Sequence, residues 1–79
     1  MRNTWNKREY KEMIDYAIER IQKEMKELYG YAPAKKEIVP LEFGADRVDG
    51  YWFITDMHFA VGNVEYALQR YGRVEMIDR

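Results

Sequence analysis

The stretch from Asn6 to Gly30 constrains this 79-residue chain more than any other, because its apolar residues recur at helical spacing. Ile14, Ile18, Ile21, Met25 and Leu28 step by four and three, and Tyr10, Met13 and Ala17 widen the stripe. Both ends carry stop signals. Asn6 is placed to cap the first free amides while Glu9 reaches back to the cap, and Trp5 is placed to staple onto Tyr10. Gly30 supplies the left-handed residue that commonly ends a helix. The spacing therefore predicts one long amphipathic helix that later segments must cover.

Beyond Pro33, the run from Glu37 to Phe43 reads as a strand with Val39, Leu41 and Phe43 on one face and Ile38 on the other. Pro40 lacks an amide proton, which suits an edge strand. The segment from Gly44 to Gly50 reads as a hairpin loop with Asp49-Gly50 as its turn, and Tyr51 to Thr55 as the returning strand. From Asp56 onward two patterns compete. Met57, Val61, Val64, Leu68 and Tyr71 fit a second helix ended by Gly72, the favoured reading. Tyr51, Phe53, Met57, Phe59 and Val61 instead fit a strand continuing to Val61, followed by a short helix capped by Asn63. Gly62 supports the strand, since glycine costs about 1 kcal/mol inside a helix. With a last strand over 73–78, the expected fold is a single α+β domain over residues 1–79. Its order is α-β-β-α-β, with helices packed on a small antiparallel sheet.

Composition narrows the chemistry. The chain has no Cys and a single His, His58, and serine is absent too. Disulfides, thiolate chemistry, Ser-His-Asp sites and multi-histidine zinc sites within one copy are thereby excluded. Asp46, Asp49 and Asp56 read as turn or strand-end residues, and the spacing of Asp46 and Asp49 lacks the alternation of a calcium loop. No enzyme activity, cofactor or metal is expected. The N-terminal residues lack the apolar core of a signal peptide, and no apolar run approaches membrane-spanning length, so the expected location is the cytoplasm without membrane association.

Two surface features point to binding. Residues 1–36 hold nine Lys and Arg against six Asp and Glu, net +3, whereas residues 37–79 hold four against eight, net −4. Within the first half, Lys7, Arg8 and Lys11 interrupt the apolar stripe and crowd a helix N-terminus, where the dipole disfavours cations. The other feature is an aromatic content of 15%, large for a core this small. Tyr16 lies away from its helix stripe, Trp52 sits in a strand with aromatics on both faces, and on the helical reading Phe59 and Tyr66 project away from the core. Exposed aromatics are typical anchors of protein interfaces.

The expected function is a small non-enzymatic protein-binding module, a regulator or inhibitor that occludes a partner's surface. In kind it is like the small accessory proteins of phages and mobile elements, although no motif identifies such a family. Its expected contacts are Lys7, Arg8, Lys11, Tyr16, Trp52, Phe59 and Tyr66. One alternative is a nucleic-acid-binding accessory protein using Lys7, Arg8, Lys11, Lys35 and Lys36. Another is a self-assembling structural subunit, a homodimer in which the stripe from Ile14 to Leu28 pairs with itself.

Overall fold

The computed structural model describes residues 6–70 and 73–77. One helix, α1 (Lys7–Tyr29), lies on one face of a four-stranded antiparallel meander formed by β1 (Ile38–Val48), β2 (Tyr51–Val61), β3 (Val64–Leu68) and β4 (Val74–Met76). The α+β class follows the sequence expectation. The order and the second helix do not.

The start and end of α1 are those its sequence dictates. Asn6 Oδ1 accepts from the Glu9 amide at 2.9 Å, and Glu9 Oε1 accepts from the Asn6 amide at 3.1 Å, closing a capping box. Gly30 adopts φ 75° and donates its amide to the Lys26 carbonyl. The expected staple involves Trp5, which lies outside the described residues. Met13, Ala17, Ile18, Ile21 and Met25 are buried against the sheet. Each large apolar side chain buried in this way stabilises the fold by about 1.5–3 kcal/mol relative to exposure.

The segment after α1 turns back along it. Pro33 is buried, with its carbonyl accepting from Gln22 Nε2 at 3.0 Å, and a single 3-10 turn over Lys35–Glu37 leads into β1. Among the described residues β1 is an edge strand, pairing with β2 alone, as suits its proline.

Residues 56–68 correct the favoured reading. They are extended, because β2 runs to Val61 and Gly62-Asn63 turns the chain into β3. Gly62 holds φ +64°, with Asn63 outside the positive-φ region, the pattern of a type II′ turn. The helical steps among Met57, Val61, Val64 and Leu68 arise from two alternating strands joined by two residues. The competing strand reading matches β2, but its short helix after Asn63 is replaced by β3. The expected ends at Tyr71 and Gly72 fall outside the described residues. The last expected strand is present as β4, over Val74–Met76.

The hairpin loop is also shorter than expected. β1 extends to Val48, leaving only Asp49 and Gly50 between the strands. Their φ values of 51° and 84° define a type I′ turn, whose twist matches that of paired strands. Two register shifts complete the sheet, one leaving Leu41 without a partner on β1 and one leaving Thr55 without a partner on β2. Each bulge reverses the alternation of its strand. Ile38, Phe43 and Ala45 therefore face α1 while Val39 and Leu41 are exposed, contrary to the simple alternation read from the sequence. On β2, Trp52 and Ile54 join Met57, Phe59 and Val61 on the helix side despite the change of parity.

Candidate functional site

The tight turn at Asp49-Gly50 and the bulge at Thr55 carry the tip of the β1–β2 hairpin over the first half of α1. Between them lies an open cleft of about 220 Å³. Met13 and Tyr16 of α1 form one wall, Tyr51 to Ile54 of β2 the other, and Glu9 and Glu12 stand on the helix side. Tyr51 is 71% exposed and Tyr16 55%, so the aromatic rims face solvent. Trp52 is half-buried, with the Arg47 guanidinium 5.6 Å from its ring centre. At the side of the cleft, Arg20 Nη1 donates to the Ile54 carbonyl at 3.5 Å, on the edge of β2 away from β1.

On the opposite flank of α1 the basic residues converge on one carboxylate. Lys35 Nζ is 2.6 Å from Asp15 Oδ1, and Lys11 Nζ is 2.9 Å from Asp15 Oδ2. Hydrogen bonds from Lys35 first and then Lys11 hold the Asp15 carboxyl below its usual range, against a smaller opposing effect of desolvation. Lys7 and Arg8 are exposed in the first turn. Two lysines 24 positions apart in sequence thus form one surface, but its positive charge is partly cancelled at its centre.

The sheet face away from α1 is uncovered by any described element. Alternation from the strand registers places Glu42, Asp46, Asp56, Glu65 and Glu75 on it, together with His58, Phe53 and Tyr51. His58 Nδ1 lies 3.7 Å from Glu42 Oε1, and Arg70 Nη2 lies 3.9 Å from Asp46 Oδ2. Gly44 sits beneath the Asp56 carboxylate, which a Cβ at residue 44 would meet at 2.7 Å. Among the described residues, no group of three His, Asp or Glu side chains is placed to hold a metal ion. No helix among them is long and apolar enough to cross a membrane.

The expected contact residues thus separate into three groups. Tyr16 and Trp52, distant in sequence, meet in the cleft. Lys7, Arg8 and Lys11 occupy the basic flank. Phe59 and Tyr66 are core, 0% and 9% exposed, with rings stacked 5.4 Å apart at 15°. Their expected exposure depended on the second helix and falls with it. The sequence reading missed Tyr51, Phe53, Glu9 and Glu12 as cleft residues. A signal existed, because a two-residue Asp-Gly turn necessarily puts the next residues at a hairpin tip. Comparison with known family models, curated proteins and solved structures finds no match to this chain.

Proposed function

We propose that the protein is a non-enzymatic protein-binding module, a regulator or inhibitor, that grips a partner at the hairpin-tip cleft and occludes the surface around it. The observation that supports this reading is the exposed aromatic cleft itself. Met13, Tyr16 and half-buried Trp52 meet there along the edge of β2, with exposed Tyr51 and Phe53 bordering it from the outer face of the sheet, an arrangement suited to receiving a partner's apolar side chain. Glu9 and Glu12 beside the cleft, and the carboxylates of the open sheet face beyond it, favour a partner whose anchor is flanked by Lys or Arg. Opposite charge would speed encounter, and the apolar contact would slow release.

Capture from nuclease-treated lysate of the source cells tests this reading. Tyr16→Ala substitutes a better helix former at an exposed site, and Tyr51→Thr keeps β propensity, so both variants should fold. Loss of one protein partner in the double variant, with retention by Lys7→Glu/Lys11→Glu, is the expected result. Retention by the double variant overturns it.

A second reading, nucleic-acid binding through the basic flank, draws support from the meeting of Lys11 and Lys35 at Asp15. Its mark would be retention of a nucleic acid that weakens steeply between about 50 and 200 mM salt and disappears on reversal of Lys7 and Lys11.

A further inference from the structure

We infer that the side chain the hairpin-tip cleft takes from its partner is an arginine, whose methylene stem lies on the apolar floor and whose guanidinium meets Glu12. The inference rests on the cleft being the gripping site and narrows what it grips. Four residues of α1 line the cleft, Glu9, Glu12, Met13 and Tyr16, at the i, i+3, i+4 and i+7 positions of one helix flank. Met13 and the facing Ile54 are 3% and 4% exposed, so they form its floor. Glu12 and Tyr16 are both exposed and one turn apart, which sets a carboxylate and a phenol ring about 6 Å from each other along the axis, at the mouth.

The charge of this lining has one sign. The described residues that line the cleft include two carboxylates and no Lys or Arg. Glu9 is half-buried, and its carboxylate accepts from the Asn6 amide. Glu12 has no such commitment, since among the described residues it makes no ion pair or hydrogen bond through its side chain, even with Arg8 one turn before it. The nearest arginines on the other sides are already placed. Arg20, one turn beyond Tyr16, reaches the Ile54 carbonyl at 3.5 Å, and Arg47, which lies over Trp52, comes from β1, across β2 from the edge that borders the cleft.

Any occupant of the mouth takes water from these two carboxylates. A purely apolar side chain leaves that loss uncompensated, whereas a cationic head offsets it. Shape then selects arginine over lysine. A planar guanidinium stacks on a tyrosine ring while presenting parallel N–H groups to a carboxylate, and it is more weakly hydrated than an ammonium, so it leaves water at smaller cost. Its methylene stem supplies the apolar contact with Met13 and Tyr16, so one residue satisfies both the floor and the mouth. Exposed Asp49 in the adjoining turn adds to the negative field through which a basic segment approaches.

The test uses blocked tripeptides carrying arginine, citrulline, lysine or norleucine between two glycines, titrated into the isotope-labelled chain and followed by amide NMR. Citrulline keeps the stem and shape of arginine without its charge. The arginine peptide should shift residues 12–16 and 50–54 saturably. The citrulline and norleucine peptides should bind about tenfold more weakly, and the lysine peptide should fall between. Glu12→Gln places an equally good helix former at an exposed site, and should weaken the arginine peptide about fivefold while leaving the citrulline peptide unchanged. Binding of any other peptide as tightly as that of arginine, or an arginine affinity indifferent to Glu12→Gln, overturns the inference and leaves the cleft standing as the gripping site. Shifts confined to the outer sheet face around Glu42 and Asp56 overturn it as well. If no peptide shifts the cleft the inference fails, and the capture experiment with the Tyr16→Ala/Tyr51→Thr variant decides separately whether the cleft grips a partner.

Discussion

Phe59 of β2 and Tyr66 of β3 are directly paired across the sheet, and their rings stack 5.4 Å apart at 15° on the side that faces α1. Tyr29, from the last turn of the helix, approaches the same tyrosine with ring centres 6.1 Å apart. This contact joins three elements at the centre of the domain. Truncation there should be costly. Phe59→Ala should destabilise the protein by about 3–5 kcal/mol, a large fraction of the roughly 4–12 kcal/mol expected for a chain this size. Urea unfolding followed by circular dichroism would measure it, and a loss below 1 kcal/mol would show that Phe59 is not a core residue.

The bulge in β2 brings Thr55 and Asp56 over Gly44, and Thr55 Oγ1 donates to Asp56 Oδ1 at 3.1 Å. A methyl group at residue 44 meets that carboxylate oxygen at 2.7 Å and the threonine hydroxyl at 3.2 Å. Both are tips of short side chains on the open face, so they yield rather than forbid. Gly44→Ala should therefore cost about 1 kcal/mol, the scale of one displaced hydrogen bond. In an Asp56→Ala background the same change should be close to neutral. A double-mutant cycle reads the coupling directly, and additive effects would rule out the contact as the cause.

Asp15 connects α1 to the segment before β1 through Lys35, and its folded pKa lies below the usual aspartate value of 3.8. A lowered carboxylate favours the folded state above the unfolded pKa, and that contribution disappears as pH falls through the folded one. The unfolding midpoints of the wild-type protein and Asp15→Asn should differ at neutral pH and converge as pH drops below the ordinary carboxylate range. The pair is solvent-accessible, so added salt should narrow the gap at pH 7. A difference unchanged by pH would mean that packing, not charge, distinguishes the two.

How much of this was legible in the chain depends on how each element is specified. α1 could be read with both ends because three independent signals agree: the 3.6-residue period, the Asn6–Glu9 box and Gly30. Pro40 likewise announced an edge. The stretch from Met57 to Leu68 was ambiguous because two alternating strands joined by Gly62-Asn63 reproduce steps of four and three. Gly62, the one residue in the stretch that argued against a helix, turns the chain with a positive φ and resolves the ambiguity. Bulges hide more completely, since one unpaired residue at Leu41 or Thr55 reverses every inward residue beyond it without altering composition. The cleft was half visible. Tyr16 and Trp52 were identifiable as surplus aromatics, but their meeting depends on the Thr55 bulge and the length of the hairpin, which no local signal states.

That dependence gives a last prediction about the hairpin tip. Gly50 holds φ +84° and Asp49 holds φ 51°, so both central residues of the turn occupy the left-handed region. A methyl group on Gly50 would meet no neighbouring atom within 4 Å, which leaves backbone conformation as the sole penalty for a side chain there. Gly50→Ala should cost about 1 kcal/mol, whereas Asp49→Asn, which tolerates the same conformation well, should be neutral or slightly stabilising. The alanine variant should also loosen the register that holds Trp52 toward α1. Tryptophan fluorescence should accordingly shift to longer wavelength before global unfolding in Gly50→Ala but not in Asp49→Asn. Coincident fluorescence and circular-dichroism transitions in both variants would show that the tip is held by its packing on α1 rather than by its turn.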